Sequence, residues 1–199
     1  VKGNLTTRLV DVVAGQYLDV WGPLGNGFLP QETRHLIMVA GGIGQTPFVT
    51  LAREYLGLAN YDRDCPQAQK VTLCYGARNE HLLAGVDTFE SVAGLDVRLC
   101  TDDGSRGHHG LVTELLEQVL SEDKEAHGSS EGTRVVCCGP EPMMEAVAKV
   151  SKSWAVQCQV SLETPMACGI GICFTCVTKV VQNDGSWDYK RTCVEGPVF

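Results

Sequence analysis

Long hydrophobic runs and clustered positive charge are both missing from this sequence. No run in its 199 residues approaches the roughly 20 apolar residues that cross a bilayer, and no basic stretch followed by an apolar segment opens it. Lys and Arg number 16 against 24 Asp and Glu, a formal net charge of −8. A phosphate-backbone binder needs clustered basic residues, so we expect no nucleic-acid partner. We also expect no membrane insertion and a cytoplasmic location.

The sequence does contain alternating strand-like and helix-like segments, with 44% hydrophobic residues. After residue 30, short apolar runs alternate with helical stretches, as they do in parallel βαβ units. This order predicts an α/β domain with a parallel five-stranded sheet. The predicted strands are 36–40, 71–75, 97–100, 134–138 and 155–162, and the predicted helices are 47–56, 111–120 and 141–151.

Other segments fall outside this alternation. Residues 121–132 are charged and rich in serine and glycine, so we interpret them as a solvated loop, and His108 and His109 as loop residues too. Residues 17–28 are interpreted as a strand that runs into a glycine-rich connection. The chain opens on Val1 without Met, so we expect that part of a longer protein precedes it.

Four of the ten cysteines are clustered near the end of the chain. Cys168, Cys173 and Cys176 have the C-x4-C-x2-C spacing of plant-type ferredoxins, and Cys193 is a more distant fourth thiolate. Two bridged irons need four thiolates in one small volume, and glycines between the ligands allow a tight loop. The spacing therefore predicts a [2Fe–2S] cluster. The other six cysteines are interpreted as small hydrophobic residues, namely Cys65, Cys74, Cys100, Cys137, Cys138 and Cys158.

A zinc site is the alternative interpretation of the four cysteines, although zinc sites commonly use shorter C-x2-C pairs on both sides. The chain would then be a non-enzymatic, zinc-binding interaction module. A hairpin is predicted between the third and fourth cysteines, because residues 177–181 and 187–191 flank Asn183-Asp184-Gly185. Such a hairpin would return Cys193 to the cysteine loop.

A glycine-rich turn follows the first predicted strand and precedes a predicted helix. Free N–H groups and the helix dipole favour a pyrophosphate at such a position. The turn lacks the G-x-G-x-x-G dinucleotide fingerprint, so a purely structural role is the alternative. Its candidate residues are Gly41, Gly42, Ile43, Gly44, Thr46 and Pro47.

Three further loops follow predicted strands, and ligands of open α/β sheets bind beyond the carboxyl ends of strands. Each loop has a structural alternative: the acidic pair as a plain turn, Arg78 as a solvated charge and Met143 as helix core. Arg78, Arg98 and Arg106 leave NADP open as the ligand, whereas the acidic pair favours NAD. The candidates are Tyr75, Gly76, Ala77 and Arg78, then Asp102, Asp103, Gly104 and Ser105, and finally Cys138, Gly139, Pro140 and Met143.

Taken in order, these motifs resemble those of the ferredoxin–NADP reductase superfamily and, within it, the electron-transfer subunits of NAD-dependent dihydroorotate dehydrogenases. The resemblance covers essentially the whole chain and rests on several motifs together. They are residues 22–28, 40–47, 75–78, 101–105 and 138–140 and the cysteine loop.

The resemblance implies three parts: residues 1–33 as the C-terminal remnant of a FAD-binding β-barrel, 34–153 as an NAD-binding α/β domain and 154–199 as a small [2Fe–2S] domain. It also implies a heterotetramer with an FMN-containing dihydroorotate dehydrogenase catalytic subunit in pyrimidine biosynthesis. Electrons would pass between that subunit and NAD through the cluster and FAD, without a catalytic acid or base on this chain.

The resemblance extends to the first residues of the chain. Gly3, Thr6 and Thr7 are similar to the flavin-pyrophosphate turn of the superfamily. Within the superfamily, the alternative is a related subunit of a sulfide dehydrogenase or of an NAD(P)H–ferredoxin transhydrogenase. The sequence separates these enzymes weakly, because they use similar flavin, nucleotide and cluster modules.

Overall fold

A parallel six-stranded sheet lies at the centre of the computed structural model, which describes residues 3–182 and 184–199. Its strands are β1 (His35–Gly41), β2 (Lys70–Ala77), β3 (Leu95–Thr101), β4 (His108–His109), β5 (Thr133–Cys138) and β6 (Gln157–Ser161). They are arranged in the order β4-β3-β2-β1-β5-β6. β1 is buried along its whole length, which explains its continuous apolar sequence.

Helices cover both faces of the sheet. They are α2 (Phe48–Tyr55), α3 (Val86–Glu90), α4 (Val112–His127) and α5 (Glu141–Ser153), whereas α1 (Asn4–Val10) precedes the sheet and has no buried residue. Successive residues of a strand point to opposite faces, so Leu36 packs in one core with α2 and α3, and Ile37 packs in the other with α4 and α5. Among the described residues, no helix is long and apolar enough to cross a bilayer.

The sheet has one strand more than the five predicted. The five predicted strands are confirmed as β1, β2, β3, β5 and β6. The additional strand, β4, consists of His108 and His109, which pair with Cys100 and Thr101 at the sheet edge. The interpretation of the two histidines as loop residues was therefore wrong. Two residues are too few to show the alternation that identifies a strand.

The solvated loop predicted over residues 121–132 is wrong in its first half. Helix α4 continues to His127 and ends at Gly128, whose φ of 75° is the left-handed conformation common just after a helix. The apolar periodicity is interrupted because a buried position of this helix holds a charged residue, Asp123. That carboxylate is paired with side chains from distant parts of the sequence.

The segment before β1 also differs from its prediction. Within the described residues, 17–28 contain no strand. Before β1 the described chain forms helix α1 and otherwise irregular connections. Tyr17 and Val20 are 99% and 88% exposed, so neither has a neighbouring strand to cover it. A strand needs a neighbouring strand for its backbone N–H and C=O groups, and among the described residues no strand pairs with 17–28. The division at residues 33 and 153 remains a prediction.

A small lobe completes the chain. β7 (Val177–Val181) and β8 (Trp187–Arg191) form the predicted antiparallel hairpin, although Asn183 of its turn lies outside the described residues. The last residues return to the main sheet, where Val160 and Phe199 exchange backbone hydrogen bonds of 2.9 and 3.0 Å. The last residues of the chain thus attach the cysteine-containing lobe to β6.

Candidate functional site

The cysteine loop is folded so that backbone N–H groups point at sulfur. Gly169 and Gly171 have φ values of 69° and 80°, a conformation open to glycine at little cost. The N–H groups of Ile170 and Cys173 donate to the Cys168 sulfur at 3.4 and 3.5 Å. Hydrogen bonds from Cys173 and Ile170 lower the pKa of Cys168 to about 6, so its thiolate, the form that binds metal, is favoured at neutral pH.

The four sulfurs are arranged as two pairs. Cys176 and Cys193 are buried with their sulfurs 3.3 Å apart, and the Cys193 N–H lowers the pKa of the Cys176 thiol. Cys168 and Cys173 form the second pair, joined by the hydrogen bond from the Cys173 N–H to the Cys168 sulfur. In the described residues, no three His, Cys, Asp or Glu side chains group as a metal-ion site. Two sulfur pairs suit a two-iron centre better than one tetrahedral zinc ion.

Arg191 joins the two halves of this cysteine site. Its Nη1 donates to the Gly171 carbonyl at 3.1 Å, and its guanidinium lies 5.5 Å from the centre of the Phe174 ring. Its Nε and Nη2 donate to the Glu195 carboxylate at 3.1 and 2.5 Å. One side chain therefore ties the loop before Cys173 to the segment that contains Cys193.

Sequence reasoning assigned no role to Arg191 or Thr175. The Thr175 hydroxyl donates to the Cys173 sulfur at 3.2 Å. The only sequence signal for either residue is its position one or two residues from a predicted ligand. Four thiols, inward N–H groups and a supporting guanidinium together fit an iron–sulfur cluster, because such clusters are held by thiolates and tuned by hydrogen bonds to sulfur.

The predicted nucleotide loops meet at one edge of the sheet. In the strand registers, Gly41 lies beside Gly76, Ala77 beside Thr101, and Ala40 beside Cys138. The chain runs from β1 outward through β2 to β3, and then β5 pairs with the other side of β1. The strand order therefore changes direction between β1 and β5, and ligands of open α/β sheets bind at such a switch point.

Glycine allows the two loops at the switch point to approach closely. A Cβ added to Gly44 would lie 2.2 Å from the Cys138 carbonyl oxygen, and one on Gly139 would lie 3.0 Å from the Gly41 nitrogen. A 3-10 turn, Gly42–Gln45, separates β1 from α2, so α2 begins at Phe48 directly after Pro47. The turn leaves Ile43 exposed at the sheet edge.

The remaining candidates differ in exposure. Ser105 donates its N–H and its hydroxyl to Asp103 at 3.0 and 2.6 Å, which lowers the pKa of that carboxyl group. Arg78 is exposed, whereas Tyr75 is fully buried and its hydroxyl accepts a hydrogen bond from the Ala84 N–H. Tyr75 is thus placed in the core rather than at the surface of the edge.

Cys138 and Met143 take on packing roles as well. Burial raises the pKa of the half-buried Cys138 thiol. Met143 packs against the α4 and α5 core, close to Gly41. Near the N-terminus, the Thr7 hydroxyl donates to the Gly3 carbonyl at 2.8 Å and that of Thr6 donates at 3.3 Å, at the start of α1.

A cavity of about 570 Å³ lies beside the cysteine loop. One side is formed by residues 20–25, with Trp21 and Leu24 contributing apolar surface, and the other by Gly169, Cys193 and their neighbours. The cavity therefore brings the connection before β1 next to the fourth cysteine.

Two protein families match the chain. The family described as the oxidoreductase NAD-binding domain matches residues 38–149, and the iron-sulfur cluster binding domain of dihydroorotate dehydrogenase B matches residues 163–199. The first range contains the glycine-rich turn and the loops at the switch point. The second contains all four cysteines of the cluster motif.

Known proteins resemble the chain along its whole length. It is 37% identical to a dihydroorotate dehydrogenase B (NAD(+)) electron transfer subunit of Caldanaerobacter subterraneus subsp. tengcongensis, covering 100% of this chain and 70% of that protein. A probable subunit of the same name from Methanocaldococcus jannaschii is 35% identical, with 99% and 66% covered. The solved structure of an NADH-dependent reduced ferredoxin-NADP oxidoreductase is 27% identical with a TM-score of 0.74, with 100% and 64% covered. The chain thus spans about two thirds of these proteins.

Proposed function

Because the chain belongs to the family of dihydroorotate dehydrogenase B (NAD(+)) electron transfer subunits, we propose that it carries electrons between a catalytic dihydroorotate dehydrogenase subunit containing FMN and NAD. The observation that carries the proposal is the folded cysteine loop, in which N–H groups donate to the Cys168 sulfur and the Cys176 sulfur lies 3.3 Å from that of Cys193, on the same chain as an NAD-binding domain match. In the overall reaction, dihydroorotate loses two electrons and two protons, NAD+ takes both electrons and one proton, and the second proton goes to solvent.

The cluster and FAD divide this transfer when bound, since nicotinamide exchanges hydride whereas iron–sulfur centres exchange single electrons. Cys168, Cys173, Cys176 and Cys193 would hold the irons. The N–H groups of Ile170 and Cys173, together with the Thr175 hydroxyl, would stabilise negative charge on sulfur. The protein's task at this site is to position the ligands and tune the potential.

The loops at the switch point between β1 and β5 would hold NAD. Glycine at positions 44 and 139 lets the two loops pack closely on each other, and N–H groups of the turn before α2 would bind the pyrophosphate. Asp102 and Asp103 follow β3, where a carboxylate can accept hydrogen bonds from ribose hydroxyls and would repel a 2′-phosphate. This arrangement supports NAD over NADP.

The flavin would be bound partly by this chain and partly by residues outside it. Gly3, Thr6 and Thr7 would contact its pyrophosphate, and the cavity between residues 20–25 and Cys193 would receive the apolar part of its ring system. A cytoplasmic location is proposed as well, supported by the six free cysteines outside the cluster motif, because reducing compartments keep thiols unpaired.

The test uses full-length protein purified anaerobically with its catalytic partner. We expect two irons and two acid-labile sulfides per chain, a rhombic EPR signal after dithionite reduction, and dihydroorotate-dependent reduction of NAD+. Cys168→Ser should lose the signal and this activity, whereas the matched control Cys65→Ser should keep both. Stoichiometric zinc without labile sulfide would instead support the interaction module.

The similarity to the solved ferredoxin-NADP oxidoreductase, which covers the whole of this chain, favours a second candidate function. The chain would then serve an enzyme that moves electrons between nicotinamide nucleotides and ferredoxin. Offering dihydroorotate and reduced ferredoxin in parallel to the same purified complex distinguishes the two. Turnover with ferredoxin and none with dihydroorotate would establish the second candidate.

A further inference from the structure

Asn26 connects the segment before β1 to the end of the chain. Its backbone N–H donates to the Gly196 carbonyl at 2.6 Å. Its side-chain Nδ2 donates to the carbonyls of Glu195 and Val198 at 3.0 and 3.2 Å, and its Oδ1 accepts from the Val198 N–H at 3.0 Å. Both the donor and the acceptor capacity of the amide are therefore used on one short segment of the cysteine lobe.

The residue before it shows how close this contact is. Gly25 has a φ of 67°, and a Cβ added there would lie 2.2 Å from the Gly196 carbonyl oxygen. A backbone atom cannot move away as a flexible side chain can, so only glycine fits this position. Gly25 and Asn26 lie in the motif at 22–28, and the proposed function assigns no role to Asn26 itself.

The contact lies at the edge of the cavity beside the cysteine loop. Residues 20–25 form one side of that cavity and Cys193 and Val194 form part of the other. The next residue on each side, Asn26 and Glu195, is joined by the amide hydrogen bond. The separation of the two sides is thus fixed two residues after the fourth cysteine.

We propose that Asn26 is a positioning residue, which fixes Cys193 against residues 20–25 and so sets the spacing between the cluster and the flavin. The inference rests on the proposed function, which places the flavin in this cavity. The segment that contains Cys193 is held at both ends. At its start the Arg191 N–H donates to the Glu195 carboxylate, and at its end the Asn26 side chain donates to the Glu195 carbonyl. If the Asn26 side-chain amide is removed, the backbone hydrogen bonds between Val160 and Phe199 remain, so the lobe stays attached to the sheet. Cys193 can then move relative to residues 20–25.

The experiment compares full-length wild-type holoprotein with Asn26→Ala, Asn26→Ser and the control Asn60→Ala, an exposed asparagine in another loop. After rapid mixing with NADH, flavin absorbance reports the hydride step, and EPR of freeze-quenched samples reports cluster reduction. In Asn26→Ala we expect an unchanged hydride step and cluster reduction slowed at least severalfold, because electron transfer becomes slower as the distance between flavin and cluster increases. Asn26→Ser, which can keep one hydrogen bond, should lie between.

Dithionite-reduced samples provide a readout that does not depend on electron flow. In the EPR spectrum of Asn26→Ala the g values should shift or the lines broaden, because a cluster ligand has moved. The spectrum of Asn60→Ala should match that of the wild type. Wild-type kinetics and spectra in Asn26→Ala would overturn the proposal. Loss of the cluster in both Asn26 variants would also overturn it, because the residue would then hold the lobe together rather than set a spacing. If NADH fails to reduce the wild-type cluster, the proposed function fails and the g values alone decide the role of Asn26.

Discussion

One side chain, Arg191, holds the two halves of the cysteine site together through Gly171 and Glu195. Lysine would keep its charge but cannot bond both oxygens of Glu195 and the Gly171 carbonyl at once. We expect Arg191→Lys to lose its cluster about 10 to 100 times faster than the wild type, the usual effect of removing a group that orients metal ligands. Visible absorbance during incubation with an iron chelator measures the loss. Arg53→Lys, an exposed arginine of α2, is the control, and equal half-lives for wild type and Arg191→Lys would contradict this role.

Gly44 is a second residue for which the surroundings dictate the side chain. In Gly44→Ala the new methyl group would meet the backbone of Cys138, so we expect a loss of about 1–3 kcal/mol in unfolding free energy. Weaker NADH binding should accompany it, because the turn must move away from the loop after β5. Gly27→Ala is the control, since its Cβ would meet nothing within 4 Å. Denaturant midpoints and NADH titration measure both effects, and wild-type values in both would show that the turn can move freely.

Helix α4 depends on a buried ion pair in its second half. Arg34 donates to both oxygens of Asp123 at 2.9 and 2.8 Å, and the Thr133 hydroxyl donates at 2.6 Å. Burial raises the pKa of Asp123, but these donors and His35 outweigh it and hold that pKa well below its usual range. Asp123→Asn should therefore lower the unfolding free energy by roughly 3–5 kcal/mol, because charged partners lose their acceptor. Glu117→Gln, exposed on the same helix, should leave the denaturant midpoint almost unchanged. A small effect of Asp123→Asn would mean that water replaces the carboxylate.

The same helix shows why its second half was not predicted from the sequence. Apolar residues up to Leu120 recur at helical spacing, and the next buried position is occupied by Asp123. The partners of that carboxylate lie 10 and 89 residues away in sequence, so no local pattern could reveal that it is buried. The glycine at 128 was a usable signal for the end of the helix, since glycine is common just after a last helical turn.

Across the whole molecule, prediction succeeded where function depends on sequence spacing and failed where it depends on distant contacts. The ferredoxin-type spacing and the glycine-rich turns indicated the family and most of the sheet, because each is a local backbone requirement. The roles of Asn26 and Arg191 were not predictable. Asn26 acts on residues 169 to 172 positions away, and Arg191 acts on a carbonyl 20 positions away.

His35 contacts two other elements of the core, so its protonation should affect the free energy of unfolding. It is fully buried, with Nδ1 2.9 Å from Asp123 and Nε2 2.9 Å from Thr72, so it joins β1 to α4 and β2. Burial lowers the pKa of His35 below 6.5, although Asp123 opposes the shift. Well above pH 6.5 the imidazole is neutral in both the folded and the unfolded chain, and its contribution to stability is complete. As the pH falls below about 6.5, the unfolded chain gains a proton that the folded chain resists, so stability falls.

The expected loss from this one group between pH 7.5 and 5.5 is at most about 1.4 kcal/mol, since one pKa unit corresponds to that energy. His35→Gln cannot titrate, so its unfolding free energy should depend less on pH over this interval, even if the substitution lowers stability throughout. His81→Gln, at an exposed position, should keep the wild-type pH dependence. Denaturant unfolding of the three proteins at half-unit pH steps gives the comparison. Parallel curves for wild type and His35→Gln would show that the buried imidazole is protonated as readily as in the unfolded chain, and Asp123 would then outweigh burial.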